Sequence, residues 1–247
     1  MMKIYNIQSH TKKRLADTTT PVSIYLRLRD VFPNTLLLES SDYHSRENAT
    51  SYVCAEPVAG ILLQDGVLST YFPDGTKESK TSFNLTEEIS AFKARFNPVN
   101  QTQDKHISTG LFGYFTWNAV QHFEDITFTS ATPDDEKIPV MQYHVYRYII
   151  AIDHFKNEVT LVKNSFNDDE DVDLEKMEYL IQNKNFPEYN FSLNGDETSN
   201  LTDQGFMDMV EQLKKHIYRG DVFQIVPSRA FKQGFLGDEF NVYRCLR

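Results

Sequence analysis

The amino-acid sequence predicts an α+β fold of mostly antiparallel strands with helices packed against the sheets. Short turns join neighbouring β-rich segments at Gln64-Asp65-Gly66 and at Lys156-Asn157, as in β-hairpins. Apolar residues at helical spacing are confined to a few separate segments. Phe and Tyr, with 18 and 13 residues, far outnumber the single Trp and favour sheets with aromatic faces.

The first half of the chain predicts strands interrupted by two helices. A helix over 22–32 ends before Pro33, and a strand over 35–39 follows it. A second helix begins with Asn84 or Thr86 as its cap. Four further strands are expected in this half, at 52–55, 58–63, 67–72 and 110–115.

The second half predicts a hairpin, a linker and the start of another domain. Its first elements are strands over 142–155 and 159–163 and a helix over 172–184. The polar residues 185–200 are expected to form a linker between domains over 1–190 and 198–247. The elements expected after the linker are a helix from Thr202 to Arg219 ended by Gly220, a strand over 222–231 and a helix starting near Asp238.

Composition and charge exclude several classes of function. The net charge is −10, and so acidic a surface repels nucleic acid and anionic membranes, neither of which is expected as a partner. Cys54 and Cys245 lie far apart in the sequence, which argues against a zinc site or a disulfide framework. We find no signal peptide and no apolar segment approaching the roughly 18 residues of a membrane-spanning helix, so a cytoplasmic location is expected.

The first candidate site is the segment in which the apolar strand Leu36-Leu37-Leu38 stops on Glu39-Ser40-Ser41-Asp42. An acid beside hydroxyl groups offers an acceptor for an ammonium group and donors for a carboxylate, the two charges of an α-amino acid. From the residues alone, a turn or a helix cap is the more common reason for such a segment.

The second candidate site is the predicted strand after Gly220, which has one amide side chain at its centre. Alternation places Gln224 on the same face as Val222 and Val226. A buried amide needs hydrogen-bond partners, and either a ligand or the protein core can supply them. Both interpretations remain open at this point.

Two other features favour structural roles. The strand Gly110-Leu111-Phe112-Gly113 is not followed by Gly-Lys-Ser/Thr, which excludes a P-loop, and core packing is expected. His122 and His144 lack partners at the spacing of metal ligands, so structural or surface positions are favoured.

In this order and at these distances, the segments resemble the large subunit of anthranilate synthase (component I), and the resemblance spans about residues 20–247. In that family an apolar strand ending in Glu-Ser forms part of the pocket for the feedback inhibitor tryptophan. The resemblance therefore implies that Glu39 and Ser40 bind tryptophan and that Leu38 and Pro21 form apolar walls. Some members have a lysine near this pocket at the position of Thr50.

The resemblance also assigns Gln224 to the active-site strand of a chorismate-using enzyme. Isochorismate synthases carry a lysine at this position that activates water, and an amide cannot act as that base. Gln224 thus indicates a member that adds ammonia. Among these, aminodeoxychorismate synthases typically have Asn at the position of Val226, so Val226 indicates anthranilate synthase.

The implied function is the conversion of chorismate and ammonia to anthranilate and pyruvate, a lyase reaction of tryptophan biosynthesis. A partner glutamine amidotransferase subunit (component II) would supply the ammonia, and Mg²⁺ would assist. The Mg²⁺ ligands and most catalytic groups of the family are expected beyond Arg247, so this chain is expected to be a truncated and inactive N-terminal portion. The alternatives are aminodeoxychorismate synthase component I of the folate pathway and a non-catalytic tryptophan-sensing module.

Overall fold

The computed structural model describes residues 3–40, 49–100, 108–128, 138–166, 174–183, 187 and 189–247. The chain divides into two compact units, Met1–Phe186 and Pro187–Arg247, here called unit 1 and unit 2. The described part of unit 1 contains a nine-stranded, mostly antiparallel sheet with three helices, and that of unit 2 contains a two-stranded sheet with two helices. The α+β prediction is confirmed.

The strands of unit 1 have the following bounds: β1 (Tyr5–Leu15), β2 (Leu36–Leu38), β3 (Thr50–Gln64), β4 (Val67–Tyr71), β5 (Lys77–Lys80), β6 (Phe96–Pro98), β7 (Phe112–Phe115), β8 (Met141–Asp153) and β9 (Glu158–Ser165). Its helices are α1 (Pro21–Leu28), α2 (Leu85–Lys93) and α3 (Glu175–Gln182), and a 3₁₀ turn covers Trp117–His122. Unit 2 consists of β10 (Phe191–Ser199), α4 (Asp203–Tyr218), β11 (Phe231–Gly237) and α5 (Phe240–Leu246).

The antiparallel pair β3–β8 runs through the middle of the large sheet. The strand order is β5-β4-β3-β8-β9-β1-β6, with β2 also beside β3 and β7 also beside β8. Only the contact between β1 and β6 is parallel among the described strands. A bulge divides the central pair, because Ala55 lies opposite Tyr148 whereas Ala59 lies opposite Val145. The extra residue changes the face to which the following side chains point.

The bulge separates two apolar cores. Val53 and Ala55 pack with α1 and α3, through side chains such as Ile24 and Met177. Beyond the bulge, Ala59, Ile61 and Leu63 pack instead with β1, β4 and α2, in a cluster that includes Tyr5, Phe72 and Phe92. Full burial of each large aliphatic side chain contributes about 1.5–3 kcal/mol. One long strand therefore anchors helices in two separate cores.

Local turn and cap signals predicted from the sequence are confirmed. Asp65 and Gly66 both have positive φ, which suits the two-residue hairpin between β3 and β4. Asn84 caps α2 by accepting a hydrogen bond from the Glu87 amide. Gly220, at φ 78°, ends α4, and the Asp221 amide behind it donates to the His216 carbonyl at 3.0 Å.

Several expected elements are wrong in extent or type. Residues 52–63 form one bulged strand, because β8 pairs with β3 on both sides of the bulge. The expected linker contains β10, whose polar side chains are compatible with a strand that pairs with β11. The strand expected over 222–231 is absent: residues 222–230 are not in a strand, and pairing starts at Phe231.

Three residues that lie side by side, in a row across neighbouring strands, explain why position 60 is a glycine. Gly60 lies opposite both Tyr71 on β4 and His144 on β8, and the Tyr71 hydroxyl reaches across it to His144 Nδ1 at 2.9 Å. A Cβ atom at Gly60 would lie 2.5 Å from the Tyr71 ring and 2.6 Å from His144 Nδ1. The glycine therefore makes room for a partly buried tyrosine–histidine hydrogen bond.

We predict that Gly60→Ala lowers the free energy of unfolding of this chain by about 1–3 kcal/mol, because the added methyl group overpacks this row. Urea unfolding followed by circular dichroism measures the change. The same substitution in a Tyr71→Leu background should cost less, since one of the two colliding groups is gone. An unchanged unfolding midpoint for Gly60→Ala would contradict the packing seen here.

The same row predicts a pH dependence of stability. Burial lowers the pKa of His144 because the protonated ring loses its hydration. The unfolded chain then binds a proton more readily than the folded chain as the pH falls below about 6.5, the ordinary pKa of histidine. The stabilising effect of neutral His144 is thus present above that pH and is lost below it, at up to about 1.4 kcal/mol per pH unit.

Urea unfolding of the wild type and of His144→Gln at pH 7.5, 6.5 and 5.5 tests this dependence. The wild type should lose more stability than the variant as the pH falls, because glutamine does not titrate. The other histidines are common to both proteins and cancel in the comparison. Parallel losses in the two proteins would show that His144 is not the titrating group.

Candidate functional site

The first predicted site lies where β2 ends. Leu36, Leu37 and Leu38 pair with Cys54, Val53 and Tyr52 of β3 in an antiparallel register. The next step of that register would place Glu39 opposite Ser51, but the ladder stops at Leu38. Instead, the Ser40 amide donates to the Ser51 hydroxyl at 3.1 Å. A side chain thus takes the place of a backbone acceptor, and the chain leaves the sheet.

The side chains at this strand end are accessible to a ligand. Glu39 and Ser40 are half-buried, and Leu38 is 39% exposed. Their groups are a carboxylate, a hydroxyl and an apolar side chain, the types that a zwitterionic amino acid with an apolar side chain requires. Ser41 and Asp42, which continue the motif, lie outside the described residues.

Pro21 starts the helix that flanks this strand. Thr20 caps α1, since its hydroxyl accepts from the Ser23 amide while the Ser23 hydroxyl accepts from the Thr20 amide, both at 3.1 Å. A proline at the first helical position fits because its missing N–H would have no helical partner. Pro21 is buried, and α1 packs against β2 and β3. Helix α1 therefore lies beside β2, the strand that Glu39 and Ser40 follow.

A chain of hydrogen bonds behind Ser40 involves residues to which the sequence analysis gave no role. Ser51 is fully buried, and its hydroxyl lies 2.7 Å from Nε2 of His154. In the tautomer with an unprotonated Nε2, the Ser51 hydroxyl donates to His154 and accepts from Ser40, which satisfies all three groups. The sequence gives only weak signals for these two residues: Ser51 is a polar residue beside an apolar segment, and His154 is a histidine at the end of a strand.

A polar cleft of about 170 Å³ lies at the other end of β2. Its lining consists of Asn34, Thr35, Leu36, Gly113, Tyr114, Gln142, His144 and Tyr146. Nε2 of His144 lies 2.9 Å from the Gln142 amide nitrogen, and the Tyr146 hydroxyl donates to the Asn34 carbonyl at 3.0 Å. None of these described lining groups carries a charge when His144 is neutral, so the cleft suits charged ligands less well than the end of β2 does.

The second predicted site residue, Gln224, lies in unit 2. It follows Gly220 in the segment without strand pairing, and its side chain is exposed. Phe223 and Val226 beside it are also exposed, at 104% and 77%. Unit 2 by itself therefore does not enclose the amide. Gln224 does not lie in a strand, and its assignment to the active site stays a prediction.

The described residues give no location for a metal ion or a membrane span. No group of three or more His, Cys, Asp or Glu side chains converges among the described residues, so no residue of this chain is assigned to Mg²⁺. In the same part of the chain, no helix combines the length and the apolar character needed to cross a membrane.

Comparison with known proteins shows which sequences and structures this chain resembles. The family model of chorismate binding enzymes matches residues 36–247. Anthranilate synthase component 1 of Lactococcus lactis subsp. lactis is 26% identical over 245 residues, which cover 96% of this chain and 51% of the relative. The Acinetobacter calcoaceticus protein of the same name is 27% identical over 259 residues, which cover 98% and 50%.

A solved structure supports the fold. The crystal structure of anthranilate synthase component I from Streptococcus pneumoniae TIGR4 superposes with a TM-score of 0.57 at 24% sequence identity, covering 96% of this chain and 52% of that one. The chain therefore spans about half the length of the relatives that it matches. Because the family model covers all but the first 35 residues, this chain belongs to the family of chorismate binding enzymes.

Proposed function

We propose that the protein containing this chain is the large subunit of an anthranilate synthase, a lyase of tryptophan biosynthesis. Ammonia adds to C2 of chorismate and the 4-hydroxyl group leaves as water; the loss of pyruvate then gives the aromatic ring of anthranilate. The observation that carries this proposal is the match to proteins named anthranilate synthase component 1 along nearly the whole chain. The name component 1 also supports a partner subunit, for which we propose a glutamine amidotransferase that delivers the ammonia.

We assign Gln224 to the lining of the chorismate site. An amide can donate to a carboxylate or hydroxyl of the substrate and accept from an amine, but it cannot remove a proton from water. This chemistry favours addition of ammonia over addition of water. The reaction is proposed to depend on Mg²⁺, which would neutralise substrate carboxylate charge, but we assign it no ligand in this chain. Since Gln224 is the one active-site residue assigned here, the 247 residues alone are proposed to be inactive.

We further propose that the end of β2 is a tryptophan site for feedback inhibition. The half-buried carboxylate of Glu39 would accept the ammonium group, and the Ser40 hydroxyl would donate to the carboxylate. Leu38 and Pro21 would contact the indole ring. The interruption of the sheet after Leu38 supports this proposal, because it leaves two consecutive polar side chains outside the alternation of a strand.

The activity is tested with protein expressed from the complete reading frame and supplied with chorismate, ammonium and Mg²⁺. We predict the blue fluorescence of anthranilate, its loss when a chelator removes Mg²⁺, and its inhibition by tryptophan. An aminated but non-aromatic product would instead assign the protein to the aminodeoxychorismate synthases. The 247-residue chain, assayed in parallel, should form no anthranilate.

The effector site is tested by substitution. We predict that Glu39→Gln raises the tryptophan concentration for half inhibition by roughly 10- to 100-fold, because a charge-assisted hydrogen bond of about 1.5–3 kcal/mol is weakened. Ser40→Ala should raise it by a smaller factor, since a neutral donor is lost. Glu124→Gln, which removes an exposed carboxylate elsewhere in unit 1, serves as the matched control and should leave inhibition unchanged. Equal inhibition of Glu39→Gln and the control would place the tryptophan site elsewhere.

A further inference from the structure

We propose that His154 is a positioning residue of the effector site and acts on Ser40 through the buried hydroxyl of Ser51. This inference rests on the proposed tryptophan site at the end of β2. It goes beyond that proposal because it names residues that would contact no ligand. Three groups from three separate segments form the relay: the Ser40 amide, the Ser51 hydroxyl and the His154 ring.

The relay begins in the turn between β8 and β9. Oδ1 of Asp153 accepts hydrogen bonds from the Phe155 and Lys156 amides at 3.0 and 2.9 Å, which fixes the backbone just after β8. The His154 amide, which lies just before these two, donates to the Ala49 carbonyl at 3.0 Å. The backbone on both sides of the His154 side chain is therefore held by hydrogen bonds. The residue itself is exposed, and its Nε2 lies 2.7 Å from the Ser51 hydroxyl.

The middle of the relay is a buried side chain in the central strand. Ser51 lies in the central strand β3, opposite Ile152 of β8, and is fully buried. If His154 did not accept its proton, the Ser51 hydroxyl would lose the acceptor described here, because the Ser40 amide is itself a donor to Ser51. A buried hydroxyl without a partner is costly, so His154 determines which way the hydroxyl points.

The end of the relay is the backbone of Ser40, which follows Glu39. Glu39 and Ser40 lie beyond the β2–β3 ladder, so loss of the Ser51 acceptor removes the bond that holds the Ser40 amide. Binding of a ligand would then have to order this segment, and that entropic cost reduces affinity. The relay thus preorganises the two side chains that we propose to recognise tryptophan.

Two conservative substitutions separate the proposed role from a general structural role. The amide of glutamine lies as many bonds from Cβ as Nε2 of histidine, whereas the amide of asparagine lies only as far as Nδ1. In protein from the complete reading frame, His154→Gln should keep the acceptor for Ser51, and His154→Asn should lose it. We expect His154→Asn and Ser51→Ala each to weaken tryptophan binding by roughly 3- to 10-fold, and His154→Gln to stay close to the wild type.

The measurement is calorimetric titration of tryptophan, combined with hydrogen exchange of the Ser40 amide in the absence of tryptophan. Exchange at Ser40 should be faster in His154→Asn than in His154→Gln. The double variant Ser51→Ala/His154→Asn should bind no more weakly than either single variant, because all three break the same relay. His122→Asn is the control for loss of a histidine from unit 1 and should bind tryptophan like the wild type.

The outcomes distinguish this inference from the proposed function. If the wild type binds tryptophan and the asparagine and glutamine variants bind it equally, the positioning role is overturned while the effector site stands. If the wild type binds no tryptophan, the effector proposal itself fails. Faster exchange at Ser40 would in that case show a relay that is structural only, which also overturns the positioning role.

Discussion

The pairing of β3 with β8 is the constraint on which unit 1 depends. These two strands pair from Thr50↔Asp153 to Leu63↔Met141, and each uses its other edge twice. β3 pairs with β2 before its bulge and with β4 after it, while β8 pairs with β7 near its start and with β9 near its end. Four shorter strands therefore take their positions and registers from this one pair.

The bulge in β3 requires local compensation. Glu56 there has a φ of 59°, a conformation that non-glycine residues adopt at some cost. Nε of Arg147 donates to the Glu56 carboxylate at 2.8 Å and so links the bulged strand to its partner. Without the bulge, the residues from Ala59 to Leu63 would point to the opposite face, and the core that contains α2 would lose its central strand.

Elements with local signals could be predicted from the sequence, whereas elements that depend on distant partners could not. The β3–β4 turn and the caps of α2 and α4 were found because a few adjacent residues determine them. The sequence analysis did not predict β1, because the charged residues Lys12 and Arg14 in its second half are not typical of a strand. In the structure both cations contact the buried carboxylate of Glu178 on α3, 2.8 and 2.6 Å away.

The candidate site divides in the same way. The motif Leu38-Glu39-Ser40 could be identified from the sequence because an apolar run ends abruptly on polar residues. Ser51 and His154 could not be identified in this way, because only the β2–β3 and β3–β8 registers bring them close to Ser40. In unit 2, alternation over 222–231 suggested a strand, but alternation does not reveal where a pairing partner lies, and β10 pairs with residues from Phe231 onward.

The short length of β2 is consistent with the proposed effector site. Consecutive side chains of a strand point to opposite faces, so Glu39 and Ser40 could not both reach one small ligand if the ladder continued through them. Because the ladder ends at Leu38, the two side chains are not confined to opposite faces. The Ser40 amide then has no backbone acceptor in that ladder. The Ser51 hydroxyl removes that cost, because it supplies the missing acceptor from the neighbouring strand. The proposed recognition of both charges of an amino acid by Glu39 and Ser40 would therefore depend on a polar residue inside β3, and the fully buried Ser51 supplies that group.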